Sequence, residues 1–269
     1  MQHAKVCQSL VPSPMPDHAQ LMILLWTALF GGAVGSFLNV VIYRLPNGLS
    51  LVTPPSHCPK CKNRIRWYDN VPVFGWLLLA GRCRACRCWI PVRYPLIEAF
   101  TAAMFAAVAA VEMHALATVY PVHVLLLCTL LCAALIEYDG HRPPWTLFLP
   151  AILAGVAAQF FWPSLVLPSP TSRLLTLLPC GVPAWSLLAL GGAILLGELG
   201  WRPVFGLALL AVLLGLGSIA FVPIALAVLV IQGVSWLLRG VWPKKPMPPF
   251  AALGVITLAW ILLVAWIGA

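Results

Sequence analysis

Residues 21–43 read LMILLWTALFGGAVGSFLNVVIY. The run carries no charge and is longer than the roughly 20 residues an α-helix needs to cross a bilayer. Its small-residue steps, Gly31-Gly32 and Gly35-Ser36, leave room for a second helix to approach closely. On the N-terminal side, residues 1–20 form a polar, Pro-containing tail without the charged-then-apolar pattern and small-residue cleavage site of a removable signal. On the C-terminal side a loop from Arg44 to about Tyr94 leads to seven more apolar runs, at 96–117, 123–138, 147–162, 183–199, 204–219, 222–238 and 250–267. The expected fold is an all-α polytopic membrane protein with about eight transmembrane helices. It divides into the tail (1–20), the first helix with its loop (21–94) and a seven-helix membrane domain (95–269).

Composition points the same way. A chain of 269 residues that is 62% hydrophobic and 9% charged is too apolar for a soluble domain. The formal charge of +9 would suit a nucleic-acid binder, but the basic residues lie in short segments between apolar runs. Nine of the sixteen Lys and Arg (Arg44, Lys60, Lys62, Arg64, Arg66, Arg82, Arg84, Arg87 and Arg93) fall in the 44–94 loop, which the positive-inside bias makes cytoplasmic. Alternation then puts Arg142, Arg202, Arg239, Lys244 and Lys245 on that same side, leaving Lys5 and Arg173 outside. The expected partner is lipid, not nucleic acid. Within the loop, residues 71–80 are apolar but too short to span, and are expected in the interface or against the bundle.

The loop also carries the most specific short motif, His57-Cys58-Pro59-Lys60-Cys61 followed by Cys83-Arg84-Ala85-Cys86. Two residues between thiols let a tight turn aim both sulfurs at one point, and two such turns supply the four thiolates that tetrahedral zinc takes. Disulfides are the alternative, and a cytoplasmic loop, kept reduced, disfavours them. Cys58, Cys61, Cys83 and Cys86 are therefore the expected ligands of a structural zinc knuckle. Cys88 reads as a bystander, and Cys128 and Cys132 as apolar filler.

Seven acidic residues remain to carry chemistry: Asp17, Asp69, Glu98, Glu112, Glu137, Asp139 and Glu198. Two carboxyl groups sharing a proton can activate water against a peptide carbonyl, one as base and one as acid. The topology places Asp139 and Glu198 at cytoplasmic helix ends, whereas Glu137 and Asp139, two apart on a helix, do not face one another. Against this stands a capping role for Asp139 in a turn with Gly140, and a plain surface role for Glu198 before Gly200. His123 reads as an interfacial residue. The spans lack the clustered His, Asp and Glu of an ion route, which sets a metal transporter aside.

Several motifs occur in one order: residues 35–46, GSFLNVVIYRLP; the paired cysteines; residues 67–73, WYDNVPV; and residues 93–98, RYPLIE. This series resembles the bacterial prepilin leader peptidases, membrane aspartic peptidases that also N-methylate the trimmed pilin. The resemblance implies a peptidase-like domain over 95–269, prepilin or pseudopilin substrates at the cytoplasmic face of the inner membrane, and S-adenosylmethionine as a second cofactor. It matches Asp139, in Glu137-Tyr138-Asp139, to the first catalytic aspartate, with Glu137 replacing an earlier aspartate and Trp145 standing where an acid is usual. The family's second catalytic segment, G-x-G-D followed by a lysine, is missing; Leu195-Leu196-Gly197-Glu198 is the nearest substitute. Residues 246–253 are similar to the segment before the family's last helix. The expected function is leader-peptide cleavage by Asp139 and Glu198, with capture of basic leaders near Asp69 and Glu98. The alternative is an inactive scaffold or assembly factor of the same architecture.

Overall fold

The computed structural model describes residues 16–113, 119–161 and 249–268, with isolated helical positions at 208, 212, 224 and 227. Helix α1 (Asp17–Arg44) is followed by the loop, which holds a 3-10 turn (Trp67–Asn70) and the short α2 (Phe74–Leu78). Then come α3 (Arg93–Val111), α4 (Tyr120–Tyr138), a 3-10 turn (Trp145–Phe148), α5 (Leu149–Phe161) and α6 (Pro249–Gly268). All named elements among the described residues are helical. Three of them, α1, α3 and α4, are long and apolar enough to cross a membrane. At ~1.5 Å per residue, the 19 residues of α3 or α4 reach about 28 Å, close to the ~30 Å hydrocarbon core. The expected runs at 147–162 and 250–267 fall on α5 and α6, while those at 183–199, 204–219 and 222–238 lie outside the described residues.

Helices α1 and α3 are antiparallel and in close contact, for a reason visible in their glycines. A Cβ built on Gly31 would stand 2.7 Å from the Phe105 side chain and 2.8 Å from the Thr101 carbonyl oxygen, and one on Gly35 would stand 2.9 Å from Glu98 Cα. Only hydrogen fits there. Nearer the loop, Asn39 Nδ2 donates to the Tyr94 carbonyl at 3.3 Å. One buried cluster joins Leu38, Val41 and Ile42 of α1 to Ile97, Met104, Phe105 and Val108 of α3 and to Leu127, Cys128, Cys132 and Ile136 of α4. Cys128 and Cys132 are free thiols in that core, as apolar filler should be. A second cluster packs Leu126, Leu130 and Ala133 of α4 against Phe148, Ala151, Phe250 and Leu253, with the Phe148 and Phe250 rings stacked at 5.9 Å.

The chain directions set two rims. The C-terminus of α1, the N-terminus of α3 and the C-terminus of α4 share one end; Glu112 and His123 meet at the other. The 71–80 segment lies against the bundle at the first end: Pro72 meets Gly32, and the Val73 N–H donates to Glu98 Oε2 at 2.7 Å. Trp76 Nε1 ties α2 to the Ile90 carbonyl at 3.0 Å. Phe74, Leu77 and Leu78 are left exposed, an apolar edge suited to the membrane interface.

Candidate metal centre and carboxylate rim

The two CxxC turns are copies of one device. In the first, the Cys58 N–H donates to Asn63 O and the Lys62 N–H to Cys58 O; in the second, the Cys83 N–H donates to Cys88 O and the Arg87 N–H to Cys83 O, all at 2.9 Å. Antiparallel bridges His57 to Arg64 and Arg82 to Trp89 close each turn. Lys62 and Arg87, the residues after the second cysteine of each pair, both take φ +59°, a left-handed bend that aims the following N–H back at sulfur.

The sulfurs converge. Cys58 Sγ lies 3.8 Å from Cys86 Sγ, Cys61 Sγ lies 4.0 Å from Cys83 Sγ, and all four are within 4.8 Å of one another. A tetrahedron of thiolates at ~2.3 Å from zinc has edges of about 3.8 Å, so the donors fit. Their acidities express the same arrangement. The Cys61 N–H, reinforced by that of Lys60, outweighs burial and brings the Cys58 thiol down to about 6. Cys61 has the Asn63 N–H pointing at it, yet burial and the facing thiols of Cys86, Cys58 and Cys83 push it up to about 11. Four thiols this close cannot all be anions on their own, and a divalent cation removes that conflict. Cys88 is no bystander: its Sγ is 3.5 Å from that of Cys58.

The loop is braced beside this cluster. Arg84 grips Asp69 in a bidentate pair, Nε to Oδ2 at 2.8 Å and an Nη to Oδ1 at 2.5 Å, and lies 5.5 Å over the Tyr68 ring. The Arg84 guanidinium holds the Asp69 carboxyl below its ordinary value. Glu98 is likewise engaged, by the Val73 N–H and by Ser36. Asp69 and Glu98, the carboxylates expected to lie near captured leaders, are thus both engaged as braces within the protein.

Asp139 sits where α4 stops. The Gly140 N–H donates to Glu137 O at 2.9 Å and the His141 N–H to Ile136 O at 3.1 Å, with Gly140 at φ +82°, a Schellman ending that makes Asp139 the C-cap. Its two oxygens take a bidentate bond from Arg93 at the start of α3, at 2.6 and 2.8 Å. Both partners are partly exposed, Arg93 by 39% and Asp139 by 29%. Glu198 lies outside the described residues. At the opposite rim His123 is half-buried against Glu112, its Nδ1 bonded to Oε1.

Residues 29–112 match the bacterial peptidase A24 N-terminal domain, a stretch that runs from the middle of α1 through the cysteine loop to the end of α3. The prepilin leader peptidase/N-methyltransferase of Myxococcus xanthus is 39% identical over 150 residues, covering 55% of this chain and 44% of that protein. Over these stretches the chain is similar to the prepilin leader peptidase/N-methyltransferases. Family members from Klebsiella pneumoniae (39% identical over 153 residues, 53% of this chain and 65% of that protein) and Pseudomonas aeruginosa (36% over 166 residues, 52% and 56%) agree. The chain spans about half the length of these prepilin peptidase relatives. No solved structure matches it significantly.

Proposed function

We propose that this chain removes the leader peptide of type IV prepilins or pseudopilins at the cytoplasmic face of the bacterial inner membrane, with Asp139 and Glu198 as its carboxyl pair. The observation that carries the reading is the match of residues 29–112 to the peptidase N-terminal domain. Asp139 supports it by standing on the same rim as the basic cysteine loop. Asp139 takes the proton of the attacking water. Water oxygen bonds to the peptide carbonyl carbon, and Glu198 gives its proton to the departing nitrogen as the C–N bond breaks. Arg93 must slide off at least one Asp139 oxygen for that water to be held. Glu198, one methylene longer than aspartate, moves its oxygens by roughly 1.5 Å, the length of a carbon–carbon bond.

Cys58, Cys61, Cys83 and Cys86 would hold zinc, which contributes a closed structural crosslink because four thiolates leave no position for water. Nothing among the described residues identifies an S-adenosylmethionine site. A second reading, an inactive scaffold or assembly factor of the same architecture, is favoured by the engagement of both Asp139 oxygens with Arg93 and by Glu198 standing where the family has G-x-G-D. Co-expression with a tagged prepilin from the same source separates the two. Leader removal by the wild type that Glu198→Gln abolishes supports the peptidase pair. Removal that survives Glu198→Gln overturns the second acid, and none by the wild type leaves the scaffold.

A further inference from the structure

The two knuckles are related residue by residue at an offset of 25: Cys58, Cys61, Lys62, Asn63 and Arg64 correspond to Cys83, Cys86, Arg87, Cys88 and Trp89, with matching bridges and hydrogen bonds. They differ at one chemically important place. Where the first turn has Asn63, the second has a thiol, and that thiol faces the sulfur cluster. Cys88 Sγ is 3.5 Å from Cys58 Sγ, closer than Cys58 to Cys86 at 3.8 Å or Cys61 to Cys83 at 4.0 Å, and its side chain also meets that of Cys86. Cys58 is buried, Cys86 exposed and Cys88 half-buried. A buried sulfur therefore has two alternative neighbours, two residues apart on one turn.

We propose that Cys88 is a fifth, exchangeable thiol of the metal centre, able to take the ligand position of Cys86. The exposed Cys86 is the sulfur free to swing out toward water, and the turn that carries both residues is held by the Arg82 to Trp89 bridge with the Arg82 guanidinium 5.9 Å over the Trp89 ring. The exchange is balanced: the Cys86 sulfur–metal bond breaks as the Cys88 bond forms, and the Cys88 thiol proton ends on the released Cys86 sulfur. The first knuckle, with Asn63, has no such reserve. The inference rests on the metal reading of the four cysteines.

Metal analysis of the full chain, purified anaerobically in detergent, tests it. The wild type, Cys86→Ser and Cys88→Ser should each hold about one zinc per chain, and the Cys86→Ser/Cys88→Ser double variant should lose it. A wild type without zinc overturns the metal reading and this inference with it. Zinc in the wild type but not in folded Cys86→Ser, or zinc retained by the double variant, overturns this inference alone. Should Cys86→Ser fail to fold, limited alkylation of the zinc-loaded wild type decides: adducts divided between Cys86 and Cys88 support exchange, and adducts on Cys88 alone contradict it.

Discussion

At the scale of single residues the structure is most demanding where helices touch. Gly31 and Gly35 admit no side chain between α1 and α3, whereas Ala33 on the same helix is exposed. Gly35→Val should therefore lower stability by about 1–3 kcal/mol, the usual range for overpacking. Ala33→Val should leave thermal unfolding in detergent almost unchanged. Asp69 offers a pH test. Arg84 depresses its folded value, so its contribution is present above the unfolded value of about 3.9 and is lost as pH falls through the lower folded value. The stability gap between wild type and Asp69→Asn should accordingly narrow as pH falls through that window, which acid denaturation followed by tryptophan fluorescence can record. What was legible in the sequence at this scale is what short spacing encodes: Gly31 and Gly35 one helical turn apart, and thiols two residues apart. Arg93 with Asp139, 46 residues distant, and Cys58 with Cys88, 30 distant, were not legible, because pairing across space depends on how helices and turns are brought together. Glu112 with His123 was hidden similarly, since each alone reads as a helix-end polar residue.

At the scale of elements, the cysteine loop is a crosslinked unit without a regular sheet or a long helix of its own. Its order depends on the two turns, the Arg84–Asp69 brace and the seating of α2 through Pro72, Val73 and Trp76. Such a unit buries little apolar surface and would lean on a metal held by its four cysteines. Cys58→Ser removes the buried sulfur on which both turns converge, and should release the zinc and open the loop to limited proteolysis while α1, α3 and α4 keep their helicity. Proteolysis unchanged from the wild type would mean that the loop is held by protein contacts alone. The spacing of the cysteines makes this element legible in the sequence, whereas the bracing by Asp69 and Glu98 depends on partners distant along the chain.

At the scale of the molecule, three helices among the described residues have the length and apolarity to cross a membrane, and their antiparallel packing puts Arg44, Arg93 and Asp139 on one rim. Cysteine labelling from either side of the membrane tests that orientation: Arg142→Cys should label from the cytoplasm and Arg173→Cys from outside, and labelling of both from one side contradicts it. The first helical spans were readable because hydrophobic runs of that length have few other uses. The proposed activity was readable only through the ordered motifs around the loop, since a lone helix-ending aspartate is an ordinary cap. The most direct measurement is leader cleavage by purified protein in detergent, followed by mass spectrometry of a cognate prepilin. The account predicts release of an intact leader peptide by the wild type and none by Asp139→Asn; a wild type that leaves the prepilin whole, or an Asp139→Asn variant that still cuts it, would contradict the account.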